Sequence, residues 1–228
     1  MDIGILYYTS NELDGTPVND WCIETLKASG LPITSSTQVP VDLGKNVIYG
    51  DGERIGRGHS LLYKQILNGL KGAEQDYLFF AEHDVLYHPS HFEFRPERDD
   101  TYYYDNNVVK YRLSDRKVVS YDCSWLSQLC ANRELLIDHY ETRLQMIDDG
   151  EKAYGFEPGT GQSRRIDNFD SERWNSKGTS IDVRHGGNWT GVQRMDPSEF
   201  NDKSTCQNFK EIEVTDLAGW DHERLLSL

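Results

Sequence analysis

The residues of this chain best suited to chemistry sit where an apolar run ends. Tyr77-Leu78-Phe79-Phe80-Ala81 leads straight into Glu82-His83-Asp84, and Pro89 follows soon after. A short unbroken apolar run reads as a buried strand, and strand alternation puts Glu82 and Asp84 on one side with His83 opposite. Ligands of open α/β sheets gather beyond the carboxyl ends of strands, which is where these side chains stand. Two carboxylates there suit a hard divalent cation that in turn holds phosphate oxygens. His83, His88 and His91 offer a competing zinc set with Asp84, but no HExxH or paired Cys/His spacing supports it.

A second signal is the glycine-dense stretch Gly50-Asp-Gly52-Glu-Arg54-Ile-Gly56-Arg57-Gly58-His59. It fits neither GxGxxG nor a P-loop, because the third glycine is displaced and no Lys-Ser/Thr follows. Glycines that open a helix still make an anion site, and Arg57 stands where a diphosphate would want a guanidinium. Ile181-Asp-Val-Arg-His185, followed by Gly186-Gly187, brings another imidazole to the end of an alternating stretch.

From Gln65 to Asp84 the chain reads Gln-Ile-Leu-Asn-Gly-Leu-Lys-Gly-Ala-Glu-Gln-Asp-Tyr-Leu-Phe-Phe-Ala-Glu-His-Asp. This resembles the nucleotide-sugar glycosyltransferases of GT-A fold, with Glu-His-Asp in place of their acidic DxD motif. The resemblance covers residues 1–90 in order and 125–190 more loosely. It implies an α/β fold of GT-A type, a Rossmann-type mainly parallel sheet flanked by helices, with an irregular acceptor-side second half. It also implies metal-dependent transfer of a sugar, with inversion, from a nucleotide-sugar (UDP being the favoured carrier) to an acceptor hydroxyl. A histidine near the end of the catalytic region often completes the metal site of such enzymes, so Asp84 and His185 are the implied ligands. Imidazole, carboxylate and diphosphate oxygens together suit Mn²⁺, with Mg²⁺ as the alternative. Tyr8, Thr9 and Asn11 at the first strand's end, Gln38, Arg57, Glu82 and His83 are the implied nucleotide-sugar contacts. Gln38 stands where those enzymes often carry an Asp that reads uracil.

Inverting transfer needs a base for the acceptor proton. In such enzymes the base follows the helix after the acidic motif, and the acids there are Glu157, Asp167, Asp170 and Glu172. Glu157 is favoured, because Phe156 and Pro158 would shield it and raise its pKa; Asp167 is next. The acceptor is a saccharide or a hydroxymethylated DNA pyrimidine. Tyr102 to Tyr104, Trp125, Trp174 and Trp189 offer stacking faces, and Arg164 and Arg165 a strand contact. Two rival classes remain, a metal-dependent hydrolase using Asp84 and the histidines, and a non-catalytic nucleotide-binding module. A sugar-1-phosphate nucleotidyltransferase is disfavoured, since no glycine-rich, lysine-followed loop stands near the N-terminus.

The elements that must position these groups follow from periodicity and punctuation. Ile3 to Tyr8 reads as a first strand, and Asn19 or Asp20 as the cap of a helix through Ser29 ended by Gly30 and Pro32. Ile33 to Val39 is a second strand, and 44–58 a loop. A helix over His59 to Lys71 carries Leu62, Ile66 and Leu70 on one stripe, and Asp76 to Glu82 is a third strand. Strand–helix alternation over the first 85 residues predicts a parallel sheet with right-handed crossovers. Beyond it, strands flank an Asn106-Asn107 turn within 101–121, and Asn132 caps a helix to Asp148. Residues 150–178 lack periodicity, and Thr179 to Arg184 is a last short strand. No repeat or Ser/Gly linker divides the chain, so one domain over 1–228 is expected, with 1–90 as nucleotide-sugar half and 91–228 as acceptor half and C-terminal tail.

Composition narrows the classes. The 228 residues are 37% hydrophobic and 27% charged, enough apolar material for a core, so whole-chain disorder is excluded. The formal charge of −14 opposes nonspecific binding to nucleic acid or anionic membranes. Between residues 160 and 195, however, six cations face four acids, which leaves room for a local basic groove. No apolar run approaches the roughly 20 residues of a membrane helix. The start Met1-Asp2-Ile3-Gly4 is not that of a secretory signal, and Cys22, Cys123, Cys130 and Cys206 form no disulfide or zinc pattern. A cytoplasmic protein with reduced thiols is expected.

Overall fold

The computed structural model describes residues 1–153, 157–160, 166–188, 193–201 and 206–228. Strand and helix alternate through the first half, as β1 (Ile3–Thr9), α1 (Pro17–Ala28), β2 (Ile33–Thr37), β3 (Lys45–Ile48), α2 (His59–Gly72) and β4 (Tyr77–Glu82). The strands β5 (Val85–Leu86), β6 (Thr101–Asp105), β7 (Val108–Arg112), β8 (Val118–Ser120) and β9 (Leu129–Asn132) come next. They lead into α3 (Arg133–Asp148), β10 (Asp170–Trp174), β11 (Ser180–Arg184), β12 (Lys210–Ile212) and α4 (His222–Ser227).

The larger sheet has seven strands in the order β10-β6-β9-β4-β1-β2-β3. β3, β2, β1 and β4 are mutually parallel, β9 runs against β4 and β6, and β10 is parallel to β6. This is the expected α/β architecture, a mainly parallel sheet flanked by helices. Alternation along β1 and β4 divides the core in two. Leu6, Tyr8, Leu78 and Phe80 pack with Ile66, Leu70, Leu136 and Tyr140 of α2 and α3. Ile5, Tyr7, Phe79 and Ala81 pack with Val18, Trp21 and Leu26 of α1 and with Val109, Ile181 and Val183 of the smaller sheet. Each such apolar side chain contributes about 1.5–3 kcal/mol by leaving water. At Gly69 a Cβ would lie 2.6 Å from Leu6 Cδ1 and Ser36 Cβ, so glycine lets α2 sit close on β1 and β2.

The smaller sheet runs β12-β8-β7-β11-β5, with β11 parallel to β7 and antiparallel to β5. Asn106-Asn107 therefore joins two sheets rather than closing a hairpin: β6 stays in the larger sheet and β7 enters the smaller one. Other expectations shift for local reasons. The α1 cap is Thr16, whose Oγ1 accepts the Asn19 N–H at 3.4 Å, with Pro17 opening the helix. β2 stops at Thr37 because the Gln38 and Val39 N–H groups donate to Asn11 Oδ1, at 2.8 and 3.1 Å, rather than to a strand. β3 lies inside the expected glycine loop, β9 was not anticipated, and β10 lies inside the aperiodic stretch. β3 and β10 are the edges of the sheet, where polar sequences such as Asp-Ser-Glu-Arg-Trp carry no apolar period. No described helix is long and apolar enough to cross a membrane.

Candidate functional site

The carboxyl ends of β1, β2 and β4 and the start of α2 open onto a cleft of about 410 Å³, within the usual range for small-molecule sites. The walls of the cleft differ. On one side stand Tyr8, Thr9, Gln38, Gly56, Arg57 and Gln65; on the other Lys110, Trp125, Glu157, Asp182, Arg184 and Arg194. Glu82, His83 and Asp84 also line it.

On the first wall the side-chain amides are engaged, although Ser10 Oγ and, at the end of β2, Thr37 Oγ1 are buried without a hydrogen bond among the described residues. Gln65 is buried on α2 and donates from Nε2 to Thr9 O at 2.6 Å and Ser36 O at 2.7 Å, fastening the helix to both strand ends. Gln38 donates to Gly56 O and accepts from Ile55 N, each at 2.7 Å, so its amide shapes the glycine loop. Arg57 lies 2.9 Å from Glu12 Oε1 and donates to Gly187 O at 2.5 Å, linking that loop to the turn after β11. Asn11, at φ 62°, is spent on Gln38, Val39 and Asp14 and is not among the lining residues. It braces the strand exit.

At the centre, β4 ends at Glu82 and the chain turns at His83-Asp84 before β5. The turn breaks strand alternation, so His83 does not stand opposite Asp84 but joins it. Ligating atoms of His83, Asp84 and His185 lie within 4.8 Å of one another. Asp84 Oδ2 accepts from Asn188 Nδ2 at 3.0 Å and is 3.4 Å from His185 Nε2. His83 Nδ1 meets Thr9 Oγ1 at 2.7 Å, which leaves Nε2 for a ligand. Burial raises the Asp84 carboxyl pKa, but the close approach of His185 and the His83, Arg184 and His185 charges outweigh it and hold Asp84 below its ordinary value. Glu82 is different. Burial and the Asp84 charge push it up to about 8, although the Tyr8 hydroxyl donates to it at 2.6 Å. Cys22 Sγ, 3.2 Å from Glu82 O, and Asn19 Nδ2, 3.4 Å from His83 O, hold the turn from α1.

Among the described residues His185 Nε2 is buried with no hydrogen-bond partner, and a cation would satisfy it. Two imidazoles and a carboxylate suit a borderline divalent ion such as Mn²⁺ better than Ca²⁺. The Gly187 N–H points at His185 Nδ1 at 3.1 Å, so an ion on Nε2 requires the Gly186-Gly187 turn to give up that bond and let Nδ1 carry the ring proton. With that adjustment the donor set fits. The rival zinc set does not assemble. His88 Nδ1 is bound to Ser90 Oγ at 2.8 Å, and His91 is fully buried against Asp105 at 2.9 Å.

The second wall comes from the smaller sheet. Lys110 on β7 lies beside Asp182 on β11, and Asp182 pairs with Arg184 on the same strand face. Lys110 is only 4% exposed, its Nζ 4.9 Å from the Trp125 ring centre and 5.2 Å from that of Tyr121. Burial and then Arg184 push its ammonium down to about 7, Asp182 opposing. Burial likewise pushes Glu157 up to about 7, against the charges of Arg143 and Arg194.

Of the residues singled out from sequence, the structure thus brings Tyr8, Thr9, Gln38, Arg57, Glu82, His83, Asp84 and Glu157 to one cleft, with His185 in the central cluster. Asp167 is elsewhere: its Oδ2 accepts from Tyr102 Oη at 2.8 Å and meets His139 Nδ1 at 2.5 Å, and it does not line the cleft. Of the aromatic candidates Trp125 lines it, whereas Tyr102 to Tyr104 are buried in β6 and Trp174 stacks on Phe94. Phe156, Arg164, Arg165 and Trp189 lie outside the described residues. Sequence reasoning missed Gln65, Lys110, Asp182, Arg184 and Asn188. The available signal was one lysine inside the apolar stretch Val108-Val109-Lys110-Tyr111.

No protein-family model matches the chain, and no curated protein does. Among solved structures it is similar to a nucleotidyl transferase from Methanothermobacter thermautotroptrophicus, at 14% identity and a TM-score of 0.40, over 65% of this chain and 83% of that one. It is also similar to a glycosyltransferase involved in the glycosylation of the major capsid of PBCV-1, at 10% identity and a TM-score of 0.39, over 100% of both chains. Likenesses of this degree assign no activity, and the chemistry has to come from the cleft.

Proposed function

We propose that the chain is a metal-assisted, inverting glycosyltransferase that takes a UDP-linked sugar as donor and a saccharide hydroxyl as acceptor. The observation that carries it is the meeting of His83, Asp84 and His185 at a parallel strand end, in one cleft with a helix start and a carboxyl of raised pKa. Residues 1–90 act as the donor half and 91–228 as the acceptor half of a single domain.

His83, Asp84 and His185 would hold a divalent cation, Mn²⁺ or Mg²⁺, which when bound screens the charge of a diphosphate leaving group. Arg57 and the N-terminal turn of α2, where Gly58 supplies no side-chain cap, receive phosphate oxygens. Thr9 orients His83, and Tyr8 orients Glu82. Glu157 takes the proton from the acceptor hydroxyl, and its pKa of about 7 lets it do so near neutrality. The formal charge of −14 disfavours DNA as the acceptor.

The direct test is UDP binding with and without Mn²⁺, followed by thermal unfolding, for wild type and Asp84→Asn. A ligand at a hundred times its Kd stabilises by about 2.7 kcal/mol, so UDP with Mn²⁺ raises the wild-type Tm by several degrees. Asp84→Asn stays folded and loses that shift along with metal-dependent transfer. If Asp84→Asn responds to UDP and Mn²⁺ like wild type, the metal assignment is wrong.

A further inference from the structure

Two buried donors on the second wall lack the partners that burial normally demands. Lys110 Nζ has three donor positions but among the described residues makes one hydrogen bond, 3.3 Å long, to Gln193 O. Arg184 Nε is buried with no hydrogen-bond partner among the described residues. Both side chains line the cleft from neighbouring parallel strands, and Trp125 lines it beside them. A buried ammonium over two aromatic rings with no carboxylate at ion-pair distance among the described residues costs stability unless a ligand completes it.

The acids nearby do not complete it. Asp182 is engaged by Arg184, and Glu157 lies under the charges of Arg143 and Arg194. Lys110, Arg184 and Arg194 line this part of the cleft with Asp182 and Glu157, and neither acid lies at ion-pair distance from Lys110 among the described residues. We propose that Lys110, Arg184 and Trp125 form an acceptor subsite for an anionic glycoside, a sugar carrying a carboxylate or phosphate group. Its anion accepts from Lys110 Nζ and Arg184 Nε while its ring lies against Trp125. This subsite deepens the glycosyl-transfer proposal and rests on it for the word acceptor, but its binding chemistry stands alone.

Saturation-transfer NMR with Mg²⁺ present, comparing methyl glucoside, methyl glucuronide and glucose 6-phosphate, tests it. Wild type should bind at least one anionic sugar about tenfold or more tighter than methyl glucoside, the scale of a hydrogen-bonded charge. Saturating UDP should leave that preference in place. Lys110→Met should abolish it, and Lys110→Arg should keep most of it. The wild-type comparison needs no variant, so a misfolded Lys110→Met protein does not spare the proposal. Equal affinity for neutral and anionic sugars overturns it, as does a preference that survives in Lys110→Met. Displacement of the anionic sugar by UDP also overturns it, because Lys110 would then serve the donor phosphates. If UDP fails to bind while the anionic preference holds, the subsite stands and the donor proposal falls.

Discussion

The two walls of the cleft differ in how they treat their amide and charged side chains, although Ser10 Oγ and Thr37 Oγ1 beside the first are buried without a hydrogen bond among the described residues. On the β1–β2 side, Asn11, Gln38 and Gln65 each spend their amides on backbone atoms, so these side chains fix the chain and present shape. On the smaller-sheet side and in the centre, among the described residues, Arg184 Nε and His185 Nε2 are buried without a hydrogen bond, and Lys110 has one. Satisfied buried groups contribute their bonds to stability, whereas unsatisfied ones cost until something binds. The amides of the first wall should therefore fail structurally when mutated, and the charged groups of the second functionally.

The largest effect expected is on the second side. Glu157→Gln keeps the shape of the side chain but cannot take a proton, so transfer should fall by about 10² to 10⁴ while the Kd for UDP stays level. In wild type, kcat should rise with pH through about 7 as Glu157 ionises, and Glu157→Gln should lose that limb. Stability should move the other way. The folded chain keeps the Glu157 proton up to about 7, whereas the unfolded chain releases it near 4.5, so stability declines as pH rises between those values. Glu157→Gln should flatten that decline. A variant with full transfer would move the base elsewhere, and one with weakened UDP binding would put Glu157 against the donor.

The next effect belongs to the first wall and should look different. Gln65→Leu leaves Thr9 O and Ser36 O without a buried donor, a loss of about 1–3 kcal/mol. Urea unfolding should show a lower midpoint with an unchanged slope. At temperatures where the variant is folded, turnover should stay within a few-fold of wild type. A large fall in kcat with no change in midpoint would mean that Gln65 touches the donor, and the contrast between the walls would be lost.

The same contrast explains what could be read from sequence. The first-half strands, α2 and α3 were legible because their buried faces impose a period, as Leu62, Ile66 and Leu70 do on α2. Glu82-His83-Asp84 was legible because charges directly after an apolar strand mark a strand end. His83 was assigned the wrong side because the turn at His83-Asp84 has no signal of its own. Asp167 drew attention as an acid in a loop, and its engagement by Tyr102 and His139 depends on contacts across 65 and 28 residues. Lys110 was missed for a related reason. A lone lysine in a strand reads as solvent-facing until the parallel partner β11 and the Trp125 ring are known to cover it.

Arg57 joins the walls, and replacing it gives the smallest effect. Its guanidinium meets Glu12 Oε1 at 2.9 Å and Gly187 O at 2.5 Å, and the side chain is 32% exposed. Half-exposed ion pairs contribute little, so Arg57→Lys should change unfolding stability by about 0.5 kcal/mol or less. Lysine keeps the charge but loses the fork that can grip two oxygens together. The Kd for UDP with Mn²⁺ should rise about three- to tenfold, a cost within the range of one ordinary hydrogen bond. Uridine, which has no phosphate, should bind both proteins equally. An equal loss for uridine would make Arg57 a brace of the glycine loop, like Gln38 and Asn11, and would group it with those structural amides. No loss for either ligand would leave the phosphates to the start of α2, with Arg57 doing no more than tie Glu12 to the turn beyond His185.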